Sequence, residues 1–252
     1  MKIDILTLFP EMFDMLKLSI PGRASEKGLL EIKLTDIRDY TKDKHNRTDD
    51  YPFGGGQGMV MMPDPIFSAL RGVSAEKKKI VYMSPKGKVL NRSKIMELAE
   101  SDELVVLCGH YEGIDERILE YWNIEEISIG DYILTGGEPA AIVLVDSVVR
   151  MIPGVLSSRE SAMEESVYSG LLEYPQYTRP RKYEGMEVPD VLLSGHHKNI
   201  SLWKFEQSLR LTKARRPDLF DAFAGKEHNL SKEEKRIFDK VKNEISSTEK
   251  DV

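Results

Sequence analysis

Ser128-Ile-Gly-Asp-Tyr-Ile-Leu-Thr-Gly-Gly-Glu138 is the stretch on which the fold turns. An alternating apolar run containing Ile127 and Ile129 enters it, and Gly130 and Asp131 interrupt it. Ile133 and Leu134 resume it before Gly136-Gly137 lead into a long apolar segment, Ala140 to Val149. The pattern predicts a strand, a tight loop and a helix. Glycines at such a turn permit positive φ and let backbone N–H groups approach a bound molecule with no side chain between. A small-molecule site is expected here.

Two other segments repeat the design. Residues 80–87, IVYMSPKG, form an apolar run ending in a Pro-Lys-Gly turn, and residues 104–113, LVVLCGHYEG, form another ending in Gly109 and Gly113. Helical patterns follow both, from Asn91 to Glu100 and from Ile114 to Trp122. Strands that all finish in Gly-rich loops predict an open parallel sheet with ligands bound beyond the strand ends. The three loops are expected to converge on one pocket.

The 252 residues suffice for one large domain or two modest ones. With 40% hydrophobic and 31% charged residues, the chain reads as an ordinary soluble protein. Its single cysteine, Cys108, excludes an intramolecular disulfide and a cysteine-based zinc site, and a reducing compartment, the cytoplasm, is expected. No signal or transit peptide is read at the N-terminus, and no segment has membrane-spanning length. A net charge of -6 argues against coating nucleic acid through bulk charge, and neither a membrane nor DNA is an expected partner. Local charge differs: Lys198, Lys204, Arg210, Lys213, Arg215 and Arg216 face the single acid Glu206 between Lys198 and Arg216. That excess suits phosphates, and a solvated helix face explains it equally well.

In chain order, residues 2–9 alternate like a strand, Pro10 opens a short helix, and residues 30–37 form the next strand. A polar stretch then ends in Phe53-Gly-Gly-Gly-Gln-Gly-Met59, which lacks the Gly-Lys-Ser/Thr ending of a phosphate-binding loop. Such glycine density implies unusual backbone geometry, close approach by another molecule, or simply a flexible loop. Pro63 to Val73 supplies a helix, so βα alternation covers most of the first 153 residues and favours an α/β fold. No GxGxxG follows a strand, which counts against a dinucleotide site. Periodicity fails from Gly154 to Glu173, a linker, and Pro175, Pro180 and Pro189 keep the next stretch irregular. There Tyr174, Tyr177 and Tyr183 lie among Arg179, Arg181 and Lys182, which suits base stacking and suits packing on a neighbouring domain. The last quarter reads as helical, with Asn199 or Ser201 capping one helix, Pro217 stopping it, and a Ser231/Glu234 capping box opening another. Ile237, Phe238, Val241 and Ile245 give that last helix its apolar stripe.

Taken together, the motifs resemble the bacterial tRNA (guanine-N1)-methyltransferases, the TrmD family. The match rests on Phe53–Met59, Ser84-Pro85-x-Gly87, Cys108-Gly-His-Tyr-Glu-Gly-Ile-Asp-Glu-Arg117, the stretch quoted first, Ile152-Pro-Gly-Val155, Tyr177-Thr-Arg-Pro180, Ser194-Gly-His-His197 and Arg215-Arg-Pro-Asp-Leu219, in that order. It spans roughly Lys2 to Leu219. The resemblance implies a parallel α/β domain with a deep trefoil knot (the SPOUT architecture), a homodimer, and methyl transfer from S-adenosylmethionine to N1 of the guanosine just 3′ of the tRNA anticodon. It divides the chain into a knotted donor-binding domain, 1–156, a linker, 157–173, and a small all-α tRNA-binding domain, 174–252. Donor contacts carried over are Tyr82, Met83, Ser84 and Pro85; Gly109, Tyr111, Glu112 and Gly113; and Ile129, Gly130, Asp131, Tyr132, Ile133, Leu134, Gly136 and Gly137. Lys198, Arg210, Arg215 and Arg216 are the expected RNA contacts.

Guanine N1 carries a proton at neutral pH, so the reaction needs a general base, and the negative charge it leaves on O6 needs a donor or cation. The resemblance puts the base at Glu165, where the family has an aspartate, with Glu164 as its competitor, and puts the O6 partner at Arg150. His110 stands where the family usually has arginine. Magnesium assistance is implied by the resemblance alone, and no protein-held metal is expected. Competing readings are a nucleotide-dependent oxidoreductase, a non-catalytic RNA-binding module, and a SPOUT methyltransferase with another target.

Overall fold

The structure, a computed structural model, describes residues 1–156, 169–226 and 230–244. Two compact units divide the chain, Met1–Arg159 and Glu160–Val252. No helix among the described residues is long and apolar enough to cross a membrane.

A five-stranded parallel sheet organises the first unit. Its strands are β1 (Lys2–Thr7), β2 (Glu31–Asp36), β5 (Lys79–Val89), β6 (Glu103–Cys108) and β7 (Glu125–Ser128), in the order β2-β1-β6-β5-β7. Strands β3 (Asp49–Asp50) and β4 (Val60–Met61) form a separate antiparallel pair. Central β6 is apolar after Glu103, and Leu104 to Cys108 are wholly buried because helices cover both faces of the sheet. One face, carrying Leu6, Ile80, Tyr82, Val105 and Leu107, packs on α2 (Pro63–Gly72) and α4 (Glu116–Trp122). The other meets α5 (Glu138–Val149), which also packs against α1 (Ser19–Glu26), α3 (Arg92–Ala99) and the 3₁₀ segment Pro10–Lys17. Alternate residues of β1, β5 and β6 therefore feed two cores, the period-2 rule applied to a doubly covered sheet.

The expected turn at Pro85-Lys86-Gly87 is a bulge within a longer strand. Met83 and Lys88 both oppose Ile127, so residues 84–87 loop out and β5 rejoins its neighbour afterwards. Helix α4 starts at Glu116, two residues later than the pattern suggests, because the Asp115 side chain accepts the Arg117 N–H at 3.0 Å and caps it.

The second unit holds α6 (Asp190–Leu193), α7 (His197–Arg215), α8 (Pro217–Ala224) and α9 (Lys232–Asn243). Leu171, Leu209, Phe220, Phe223 and Val241 form its core, with Phe205, Ile237 and Phe238 packed against it. The Ser231/Glu234 capping box is present, and α7 ends before Pro217, which opens α8. Asn199 and Ser201 do not cap α7: Gly195, at φ +70°, turns the chain early, and the helix begins after His196. The Pro-rich stretch is not wholly irregular either. Lys182–Tyr183 and Met186–Glu187 make a two-residue hairpin whose turn, Glu184-Gly185, has positive φ at both positions.

Candidate active site

The loops following β6 and β7, together with the bulge in β5, enclose a cleft of about 250 Å³ at the carboxyl ends of these strands. Every donor contact expected from the sequence lines it except Asp131. Asp131 lies in the same loop without facing the cleft. The cleft also takes residues the sequence did not single out, among them Lys86, Glu116, Glu126 and Ser128.

The second and third loops are locked together. The Gly137 N–H donates to the Gly109 carbonyl at 2.8 Å, and His110 bridges to Gly136. Glycine is required where they touch: a Cβ on Gly137 would lie 3.0 Å from Gly109 N and 3.1 Å from Cys108 Cα. A Cβ on Gly109 would lie 2.5 Å from the Tyr82 hydroxyl. Gly130, at φ +150°, takes a conformation that side chains resist, and the Ser128 hydroxyl fixes its turn by accepting from Gly130 N–H and donating to Gly130 O, each at 3.1 Å. Tyr111 adopts a left-handed backbone at φ 59°.

Two carboxylates shape the electrostatics. Glu138, only 1% exposed, accepts a hydrogen bond from the Thr7 hydroxyl at 2.8 Å, and Thr7 Oγ1 in turn accepts the Phe9 N–H at 2.9 Å. This ties the end of β1 to the start of α5. Its place in the first helical turn, where a carboxylate meets the positive end of the helix dipole, was the signal available in the sequence. Glu126 carries a buried Oε1 with no hydrogen-bond partner among the described residues, and no sequence signal marked it. Burial, aided by the Glu126 charge, pushes the Tyr82 phenol up to about 12. Tyr82 therefore stays protonated, a hydroxyl able to donate. Burial likewise raises the Cys108 thiol, with Glu138 adding to it, so Cys108 is not a nucleophile at neutral pH.

Along the rim, Arg38 lies 5.1 Å from the Phe9 ring centroid, Phe9 is 5.2 Å from His110, and His110 is 5.1 Å from Tyr111. His110 thus occupies the place of the usual arginine as part of an aromatic cluster with tilted and edge-on rings. Arg150 sits half-buried at the C-terminal cap of α5, its backbone N–H on Asp146 O at 3.3 Å. Glu165 and Glu164 lie outside the described residues.

Among the expected RNA contacts, three are engaged within the second unit. Arg210 is bound by Glu206 at 2.8 Å and by Glu244 at 2.5 Å, which raises its guanidinium pKa and lowers both carboxylates. Lys198 pairs with Glu233 at 2.7 Å and Arg216 with Asp218 at 2.5 Å. Arg215 has no ion-pair partner among the described residues and is exposed. Lys213, left out of the expected contacts, closes the end of α9 by donating to the carbonyls of Val241, Lys242 and Glu244. Among the described residues, no group of three or more His, Cys, Asp or Glu side chains is arranged to hold a metal.

The chain is 57% identical over 238 residues to a tRNA (guanine-N(1)-)-methyltransferase of Clostridium acetobutylicum, covering 94% of this chain and 96% of that one. Identity to the protein of the same name from Clostridium novyi is 56% over 240 residues, covering 95% and 97%. For that of Ruminiclostridium cellulolyticum it is 56% over 230 residues, covering 90% and 99%. The family described as tRNA (Guanine-1)-methyltransferase TrmD matches residues 1–222, and to that family this chain belongs.

Proposed function

We propose that the protein transfers a methyl group from S-adenosylmethionine to N1 of the guanosine immediately 3′ of the anticodon in tRNA. The observation that carries this reading is the cleft, where backbone from three glycine-bearing loops meets in one chain of the TrmD family. The donor fits the residues present. Gly113 leaves backbone bare for a flat nucleoside, Ile133 and Leu134 offer apolar cover, and the Tyr82 hydroxyl and the Glu126 carboxylate offer polar partners. A volume of about 250 Å³ lies just below the usual range of small-molecule clefts, roughly 300–1,000 Å³.

When bound, the donor supplies an electrophilic methyl on a sulfonium. The protein's tasks are to hold the two reactants in line, remove the N1 proton and stabilise charge on O6. Glu165 takes the N1 proton, and the Arg150 guanidinium faces the developing O6 charge. The linker that carries Glu165, residues 157–173, joins a donor-binding domain, 1–156, to a tRNA-binding domain, 174–252.

A homodimer, a trefoil knot and cytoplasmic location belong to the same reading. Dimerisation is supported by an exposed apolar strip: Met12, Met15 and Leu18 in and beside the 3₁₀ segment, and Val143 on the α5 helix packed against it. Magnesium enters through the family resemblance only.

Nucleoside analysis of tRNA incubated with the protein and S-adenosylmethionine tests the reading. 1-Methylguanosine as the sole new nucleoside is expected, and a ribose-methylated or other base-methylated product would reject it. Phosphate contact is read most directly at Arg215. Replacing Arg215 and Arg216 by alanine should weaken tRNA binding and reduce the slope of log affinity against log salt by one to two, at about one per lost contact. An unmoved slope would return this patch to solvent.

A further inference from the structure

On the loop joining β3 to β4, Phe53 is fully exposed and Tyr51 is 79% exposed. A bare phenylalanine has no packing role in the unit that carries it, since its ring is as open as in an unfolded chain. The loop itself is anchored. Asp49 pairs with Met61 and Asp50 with Val60 at its base. Glu112 N–H donates to Met59 O at 3.0 Å, and Met61 N–H donates to Gly113 O at 2.9 Å. A Cβ on Gly58 would lie 2.5 Å from the Glu112 side chain, so the loop closes directly against the second cleft loop.

Beyond Phe53 the backbone is as bare as the ring. Gly54, Gly55, Gly56 and Gly58 all have positive φ, and a Cβ on Gly54 or Gly55 would meet nothing within 4 Å. Gly54 and Gly55 therefore serve backbone conformation and open approach, not internal packing. An uncovered aromatic face beside uncovered peptide groups matches a planar, polar-edged partner: the face stacks and the peptides bond its edge. Lys44, exposed and without an acidic partner among the described residues, lies on the segment entering the hairpin and suits a backbone phosphate.

We infer that Phe53 stacks on an unpaired nucleobase of the anticodon loop adjoining the methyl acceptor, holding the acceptor at the mouth of the donor cleft. The inference rests on the tRNA reading above and adds a positioning residue to it. A stacked base contributes enough that alanine substitution should weaken RNA binding roughly ten-fold or more.

The test uses the full chain with a tRNA transcript carrying 2-aminopurine on either side of the acceptor guanosine, comparing wild type with Phe53→Ala and Phe53→Trp. Wild type and Phe53→Trp should change the 2-aminopurine fluorescence at one of the two positions and bind alike. Phe53→Ala should lose that change and bind roughly ten-fold more weakly, with donor affinity unaltered. Equal affinity and equal fluorescence for wild type and Phe53→Ala would overturn the inference. So would a Phe53→Ala effect confined to sedimentation, which would assign the ring to contact with a second copy of the chain. Wild type that methylates no RNA would remove the parent reading and this inference with it. Wild type that methylates normally while Phe53→Ala binds unchanged would remove the inference alone.

Discussion

Glu165→Gln should slow methyl transfer by orders of magnitude while leaving S-adenosylmethionine binding intact. Glutamine keeps the shape and hydrogen-bonding reach of glutamate, and it cannot accept a proton at neutral pH. An ordinary glutamate, with a pKa of about 4.3, is a weak base toward N1. Partial desolvation once RNA covers it would raise its basicity toward what the reaction needs. General-base catalysis of this kind is worth roughly 10²–10⁴-fold, and the single-turnover rate should fall by that factor. Donor titration should give the wild-type dissociation constant, because glutamine matches glutamate in size and reach. An unchanged single-turnover rate would remove Glu165 from the mechanism and send the search to Glu164. The extra methylene relative to the family's aspartate makes Glu165→Asp informative as well, since retained activity there would show that carboxylate chemistry matters more than reach.

Gly87→Ala should be severely damaging at the bulge beside the cleft. A Cβ there would overlap the Glu126 carbonyl carbon and oxygen and the Ile127 nitrogen, all backbone atoms of the neighbouring strand. No side-chain rotation can relieve that, so β5 and β7 must separate where Lys88 rejoins Ile127. Overpacking of this kind costs about 1–3 kcal/mol, which for a chain of this size lowers Tm by roughly 2–12 °C. The same displacement lifts Ser84, Pro85 and Lys86 from the cleft wall, so donor affinity should fall more than about ten-fold. Gly109→Ala provides a milder comparison, because its obstacle is the Tyr82 ring, a side chain. Thermal unfolding and donor titration check both, and a Gly87→Ala protein with unchanged Tm and affinity would contradict the packing described for the bulge.

What the sequence disclosed follows the range of the forces involved. Strand β6 was legible because burial on both faces demands an unbroken apolar run, Leu104 to Cys108. The Ser231/Glu234 cap was legible because its partners are three residues apart. The bulge at residues 84–87 was not, since it arises from two residues of β5 sharing Ile127 across the sheet. Nor was the Thr7–Glu138 bond, whose partners are 131 residues apart. Arg210 shows the same limit for charge. A local count makes it a free cation, and folding brings Glu244 onto it from 34 residues away. The placement of the three glycine-bearing loops in one cleft was accessible because glycine patterns mark strand ends locally, whereas Asp131 could be told apart from its loop neighbours only in three dimensions.

The central claim is tested most directly by offering labelled S-adenosylmethionine and two tRNA transcripts, one with guanosine immediately 3′ of the anticodon and a twin with adenosine there. Label in the first and none in the second is the predicted result. Label in both would contradict the assigned target, and label in neither would contradict the assigned reaction.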